Sequence, residues 1–130
     1  MRAEDLKDRT KSFALRVVKL ATSLPRNRVG EVLARQMIRS ATSVAANYRA
    51  ACLARSRPEF VSKIGIVQEE ADETMFWIEL TADAGLIKPK LLESLLRENK
   101  ELLAIIIASR KTAKGKQEPP ARSQRSPTQT

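Results

Sequence analysis

The sequence predicts an all-α protein, an antiparallel up-down-up-down four-helix bundle. Proline and glycine positions divide the 130 residues into four pieces of helical length and a polar C-terminal stretch. Each piece has its apolar residues at helical rather than strand spacing, and the connections between pieces are short. Four such helices can bury all four apolar faces in one core, so we expect a bundle over residues 1–112 and a tail over residues 113–130.

The first two pieces lie before Pro58 and are separated at Pro25. At 100° per residue, one face of the first piece holds Leu6, Phe13, Val17, Leu20 and Leu24. The corresponding face of the second piece holds Leu33, Met37, Ala41, Val44, Tyr48, Ala51 and Cys52. Both pieces are therefore predicted to be amphipathic helices of one core.

The third piece has start and end signals of its own. Ser56 is the expected N-cap, Pro58 and Glu59 fall in the first turn, and Gly85 suits the C-terminal cap. Its apolar face holds Phe60, Ile64, Val67, Ala71, Met75, Ile78 and Ala82. The face of the fourth piece holds Leu91, Leu92, Leu95, Leu102, Leu103 and Ile106, with Asn99 set among them. Residues 113–130 have no large apolar side chain and are predicted to form a disordered basic tail.

Composition argues against several classes of function. The chain has no histidine, the commonest general base and a frequent metal ligand, and no GxGxxG, GxxxxGK[ST], HExxH or CxxC motif. We therefore expect no enzymatic activity, no metal and no cofactor. A single cysteine cannot form an internal disulfide, no apolar run approaches the roughly 20 residues of a membrane span, and the charged N-terminus does not resemble a signal peptide. These features predict a soluble cytoplasmic protein with no membrane partner.

Basic residues exceed acidic ones by 24 to 15, which permits binding to nucleic acid. On the second helix, four arginines fall within about 80° of one another, opposite the apolar face: Arg28, Arg35, Arg39 and Arg49. Such a ridge suits phosphate binding, although a solvated face, or one paired with acids inside the protein, would have the same pattern. The candidate phosphate contacts are Lys11, Arg16, Arg28, Arg35, Lys114 and Lys116.

The third helix has the opposite charge. Residues 58–84 hold seven acids and Lys63 as their one base, and most of the acids lie in QEEADETMFWIEL at 68–80. These acids share a helix face with a second apolar stripe, which indicates a helix or subunit interface; alternatively, Trp77 covers the edge of a wide core. The two arginines of the neighbouring helix are the expected partners of the acids, within one subunit or between subunits. The predicted interface residues are Arg39, Arg49, Ile66, Glu69, Glu70, Glu73, Phe76, Trp77 and Leu80.

Several stretches resemble a known family. They are RSATSVAANYRAA at 39–51, ARS at 54–56, FVSKI at 60–64, EADETMFWIEL at 70–80 and LRENKELLAIIIASRKTA at 96–113. Together they resemble the small four-helix-bundle proteins known from open reading frames in intervening sequences of bacterial 23S ribosomal RNA genes. The resemblance covers residues 1–113. Ala50 stands where the family motif ANYREA has a glutamate, so a polar network between the second and third helices would have one carboxylate fewer here.

The resemblance implies the same bundle fold and no established enzymatic activity. Members of the wider family, which includes the accessory variability protein of diversity-generating retroelements, form ring-like homopentamers with basic surfaces. That accessory protein works with a reverse transcriptase and nucleic acid. We therefore expect a homo-oligomer, a pentamer, that binds RNA or DNA through basic surfaces. The alternative is a protein-interaction scaffold or accessory subunit that binds a protein encoded nearby and makes no direct contact with nucleic acid.

Overall fold

A computed structural model describes residues 1–117, which form four α-helices. They are α1 (Ala3–Thr22), α2 (Arg28–Ala51), α3 (Arg57–Asp83) and α4 (Pro89–Gln117). Within residues 1–117 there is no β-strand, so the predicted all-α class and the number of helices are confirmed. The rest of the predicted tail, residues 118–130, lies outside the described residues.

The four helices form a closed bundle in chain order. Each helix packs against the next one, and α1 also contacts α4, although it lies closer to α2. The connections have five residues each, so neighbouring helices run antiparallel. This is the predicted up-down-up-down arrangement, in which α2 and α3 are direct neighbours. None of the helices within residues 1–117 is long and apolar enough to cross a membrane.

Local signals in the sequence fix the helix ends. The side chain of Asn27 accepts a hydrogen bond from the Gly30 backbone N–H at 2.8 Å and caps α2. The predicted N-cap of α3 is also found, because Ser56 Oγ accepts from the Glu59 N–H at 3.1 Å. Gly85 follows α3 with a φ of +78°, a left-handed conformation that glycine adopts without a Cβ penalty.

The core consists mainly of the predicted apolar faces, except that Met75 of α3 is only partly buried and its neighbour Thr74 takes the inward position. Phe13, Met37, Ile64, Ile78 and Ile106, which come from all four helices, have 1% or less of their surface exposed. The buried hydroxyl groups of these helices donate to backbone carbonyls one turn earlier in their own helix, so they do not need partners across the core. Helix packing therefore depends mainly on apolar contact.

Asn99 of α4 is the polar exception. Its side chain is fully buried, and its Nδ2 donates to the Ala71 carbonyl of α3 at 3.1 Å. Its Oδ1 has no hydrogen-bond partner among residues 1–117. A buried amide that makes one hydrogen bond and leaves its oxygen unpaired specifies how α4 sits against α3 at a cost in stability.

Two details of α4 differ from the sequence prediction. Leu91, which was expected in the core, is 72% exposed, because it lies in the first turn of α4 and the neighbouring Leu92 takes the inward position. The helix also continues to Gln117, beyond the predicted end of the bundle at residue 112, and Ala113 is buried. Lys114 and Lys116 therefore belong to the last turns of α4 rather than to a tail.

Candidate nucleic-acid and protein interfaces

Three arginines lie along the outer surface of α2. Arg28, Arg35 and Arg49 occupy positions seven residues apart or a multiple of seven, with Thr42 at the remaining position. Seven residues are nearly two helical turns, or about 10.5 Å along the axis, so these four residues form a slowly turning line that we call the α2 seam. All three arginines are exposed, and none pairs with a carboxylate of residues 1–117.

A groove of about 500 Å³ lies between α1 and α2 beside this seam. Its floor has small side chains, including Ala14, Ala45 and Ala46. The charged residues around it are Glu4, Lys7, Asp8, Lys11 and Arg49. Lys7 Nζ lies 3.6 Å from Glu4 Oε2. The structure therefore places Lys11 near one end of the α2 seam.

Arg49 does not pair with the acids of α3 within residues 1–117 of one chain. It lines the groove against α1, so the predicted pairing between subunits stays a prediction. Arg39 and Arg49 are ten residues apart, which is about 80° around the helix, so Arg39 points towards α3 while Arg49 points towards α1. The helical projection of the sequence placed the two residues on the same outer face of α2, but it could not show on which side of that face α1 and α3 lie.

The other candidate phosphate contacts are dispersed. Arg16 lies on the α4 side of α1, where its Nη2 donates to Ser94 Oγ at 3.1 Å, so it does not share a face with Lys11. Lys114 is exposed near the end of α4. Lys116 lies on the same last turn, and its side chain is outside the described part of the structure. The six candidates thus do not form one patch, and Arg28, Arg35 and Lys11 are the ones that adjoin the seam or the groove.

The acidic stretch of α3 does contact α2 through Arg39. Its Nη1 lies 3.4 Å from Glu70 Oε1, and its Nη2 donates to Glu73 Oε2. Glu73 Oε2 also accepts from Trp77 Nε1 at 3.0 Å. The Trp77 hydrogen bond, and then Arg39, lower the pKa of Glu73, while partial burial opposes them. The pKa of Arg39 is raised, mainly by its hydrogen bond to Glu73.

The outer surface of α3 carries the second apolar stripe. Ile66, Phe76 and Leu80 are 42%, 52% and 37% exposed, and Glu69 beside them is also exposed. Trp77 is half-buried and packs against the core, as the alternative interpretation of this residue expected. The rings of Phe76 and Trp77 meet edge to face with centroids 4.9 Å apart. We call Ile66, Glu69, Phe76 and Leu80 the α3 outer surface.

Several features have no prediction from the sequence, and the first is an exposed apolar pair on α2. Val29 and Val32, near the start of α2, are 55% and 43% exposed. Because Arg39 lies opposite Glu70 and Glu73, the antiparallel register puts Val32 two turns away, opposite the last turns of α3. Their one signal in the sequence is that they are apolar but lie outside the core face of their helix.

The second missed feature joins α1 to α4. Arg9 makes two hydrogen bonds with Glu98, of 3.0 Å and 2.6 Å, and a third with Glu101, of 3.0 Å. The Glu98 hydrogen bond is the main reason that the pKa of Arg9 is raised. The two glutamates are three residues apart on one helix face, but nothing in the sequence links them to a residue almost 90 positions earlier.

Within residues 1–117, no three histidine, cysteine or carboxylate side chains come together in a way that could hold a metal ion. Glu70 and Glu73 in particular face Arg39.

Comparison with known proteins identifies the family. The profile described as "23S rRNA-intervening sequence protein" matches residues 4–108. The chain belongs to this family. A crystal structure of a protein from the S23 ribosomal protein family of Bacteroides thetaiotaomicron VPI-5482, described as having unknown function, is similar with a TM-score of 0.79. That protein is 34% identical, and the alignment covers 85% of this chain and 99% of the other. No curated protein matches the chain.

Proposed function

We propose that this family member is a non-enzymatic, self-associating protein that binds RNA or DNA through backbone phosphates, with the α2 seam as the main contact. The observation that carries the proposal is that Arg28, Arg35 and Arg49 are aligned, exposed and without carboxylate partners in residues 1–117. The absence of histidine supports a non-enzymatic role. A single cysteine fits a reducing compartment, so we place this role in the cytoplasm.

The spacing of the seam fits the backbone of a nucleic acid. Successive seam positions are about 10.5 Å apart, close to the axial rise of three base pairs at about 3.4 Å each. A guanidinium can donate two hydrogen bonds to one phosphate, and each contact releases condensed counterions. Nothing in such a contact reads a base, so binding should depend weakly on sequence and strongly on salt.

The test is a titration of fluorescently labelled RNA and DNA oligonucleotides, followed by anisotropy at several salt concentrations. Arg35→Gln should weaken binding, and it should reduce the slope of log affinity against log salt by about 0.7 to 0.9, the share of one phosphate contact. Lys90→Gln, an exposed change of equal charge in the first turn of α4, is the matched control and should have less effect. No binding at low salt, or an equal loss of affinity in the two variants, would contradict the proposal that the α2 seam contacts the phosphates. The RNA and DNA arms decide which nucleic acid is preferred.

We further propose that the α3 outer surface is the self-association surface. Its apolar side chains are exposed together, and exposed apolar groups of this kind are typical of protein contacts. The number of subunits, five, comes from the family resemblance. Light scattering should give the mass of an oligomer for the wild type and a smaller mass for Phe76→Ser, whereas Leu15→Ser, which changes a 55% exposed residue of α1, should have no effect.

The same surface favours a second candidate function, that of a scaffold for another protein. In that case the wild type would be monomeric alone, and Phe76→Ser would leave its mass unchanged. Co-purification with a protein encoded nearby, lost in Phe76→Ser and retained in Leu15→Ser, would then support the scaffold.

A further inference from the structure

Arg110 of α4 lies against Gly65 of α3. A Cβ placed on Gly65 would be 3.1 Å from Nη2 and 3.2 Å from both Cζ and Nε of Arg110. Three nearly equal distances mean that the guanidinium lies flat on the α3 backbone rather than end-on. The N–H groups lie in the guanidinium plane, so they point along the surface between α3 and α4. Glycine at position 65 provides the space for this contact.

This guanidinium has no protein acceptor among residues 1–117. The Arg110 side chain is half-buried, its Nε is fully buried without a hydrogen-bond partner, and no carboxylate pairs with it. The guanidinium groups of Arg9 and Arg39, which join helices through ion pairs, each have two carboxylate partners. Arg16, which also joins two helices, has the Ser94 hydroxyl as its acceptor. A half-buried charge without a counter-ion is unfavourable. Nε itself is closed to solvent, so an anion from outside the bundle would be bound by the two Nη groups, which are not among the buried unpartnered atoms.

The surrounding charge is also positive. The first ten residues of α3 and the last eleven of α4, residues 57–66 and 107–117, lie at the same end of the bundle because the two helices are antiparallel. Together they have one acid, Glu59, against Arg57, Lys63, Arg110, Lys111, Lys114 and Lys116. The acids of the 68–80 stretch begin at Glu69, one turn beyond Gly65. Lys114 is one turn from Arg110 on the same face of α4 and is exposed.

We propose that Arg110 anchors a phosphate-binding site between α3 and α4, with Lys114 as a second cation. The planar guanidinium fork matches two phosphate oxygens, and the ammonium adds charge at the edge of the site. The phosphate is either that of a nucleic-acid backbone or a free phosphate ion. The first source rests on the proposed function above, and the site itself does not.

Glu69 is the one exposed acid close enough along α3 to compete for Arg110. Glu69 lies one turn from Gly65, and its carboxylate makes no ion pair with Arg110 in the structure. If Glu69 were the true partner, Glu69→Gln would destabilise the protein and leave any phosphate effect unchanged. If phosphate is the ligand, Glu69→Gln should strengthen the phosphate effect by removing a competing charge.

The test uses variants that disturb the site in different ways. Gly65→Ala keeps every charge but puts a methyl group against the guanidinium, and Arg110→Lys keeps the charge but loses the planar fork. Lys111→Gln is the control, because it removes an exposed charge about 100° away around α4. Circular dichroism first establishes that each variant is folded.

The first measurement is the melting temperature in phosphate and in chloride at equal ionic strength. Phosphate should raise the melting temperature of the wild type and of Lys111→Gln, and it should lose most of this effect in Gly65→Ala and Arg110→Lys. The proposal is overturned if phosphate has no effect on the wild type, or if it stabilises all four proteins equally.

The second measurement is RNA affinity for the same four proteins. If Gly65→Ala and Arg110→Lys weaken binding severalfold more than Lys111→Gln, the phosphate is that of the backbone. If the phosphate effect is present but RNA affinity is unchanged, the ligand is free phosphate. If none of the four proteins binds RNA or DNA while the phosphate effect is retained, the proposed function fails and the site stands.

Discussion

The contact between α2 and α3 can be tested by replacing Glu73 with Gln. The new side chain keeps an oxygen that can accept the Trp77 N–H, but it loses the negative charge that faces Arg39. Glu69→Gln is a matched control, because Glu69 lies on the same helix, is exposed and makes no ion pair with another of residues 1–117. The comparison therefore isolates the charge of Glu73 from the general effect of lowering the negative charge of α3.

The expected magnitude follows from exposure. The side chains of Arg39 and Glu73 are 47% and 38% exposed, so solvent screening limits their ion pair to about 0.5 kcal/mol. Hydrogen bonds to charged acceptors are stronger than those to neutral ones, which adds roughly 0.5 kcal/mol for the Trp77 contact. We expect Glu73→Gln to lower the free energy of unfolding by about 1 kcal/mol and the melting temperature by about 4 °C. Glu69→Gln should change the free energy of unfolding by less than about 0.5 kcal/mol.

Urea unfolding followed by circular dichroism measures this difference, and the emission of Trp77, the one tryptophan, reports on the same contact. The interactions with Trp77 and Arg39 lower the pKa of Glu73. Their stabilisation is therefore complete above the unfolded-state pKa of about 4.3 and is lost as the pH falls through the folded-state value. The difference in the free energy of unfolding between the wild type and Glu73→Gln should thus disappear at low pH. Equal stabilities of Glu73→Gln and Glu69→Gln at neutral pH would refute the reasoning.

Three further substitutions test the fold. Asn99→Leu should raise the free energy of unfolding by about 1–2 kcal/mol in urea titrations, because it replaces a buried amide whose Oδ1 has no partner in residues 1–117. Destabilisation would show instead that the hydrogen bond to the Ala71 carbonyl contributes more than the unpaired oxygen costs. Burial, and then the neighbouring Cys52 side chain, raise the pKa of Tyr48, so the neutral phenol's stabilisation is lost as the pH rises above about 10. Tyr48→Phe should therefore resist alkaline unfolding better than the wild type. If the free energies of unfolding of the two proteins fall equally with rising pH, this reasoning is wrong. Gly30→Ala should cost about 1–3 kcal/mol, because a Cβ there would collide with the Pro25 carbonyl, and a melting temperature equal to that of the wild type would exclude the collision.

Much of the fold could be predicted from the sequence, because each helix satisfies its own periodicity. The apolar positions of α3 recur every three or four residues, and Ser56 and Gly85 mark its ends by local hydrogen bonding and backbone conformation. These are properties of one helix and need no knowledge of its neighbours. The error at Leu91 has the same origin, because two adjacent leucines cannot both face the core and the pattern alone does not choose between them.

The candidate sites could be predicted less well, because they depend on which helix lies beside which face. The sequence grouped Arg39 with Arg49, but the positions of α1 and α3 send their side chains to opposite sides. The one signal for Arg110 in the sequence is its place in the apolar face of α4, four residues after Ile106 and three before Ala113, where an unpaired arginine is rare.

Charge divides the outer face of α3 into two regions with different uses. From Glu69 onwards the exposed side chains are acidic and apolar, and a phosphate backbone would be repelled there. Before Ile66 the helix is flanked by the basic end of α4. A nucleic acid held by the α2 seam or by Arg110 would therefore stop short of Phe76 and Leu80, which leaves these side chains available for a protein contact at the same time. If both proposals hold, Phe76→Ser should abolish self-association without reducing the affinity of one subunit for a short oligonucleotide. A parallel loss of both would mean that the phosphate contacts come from more than one subunit.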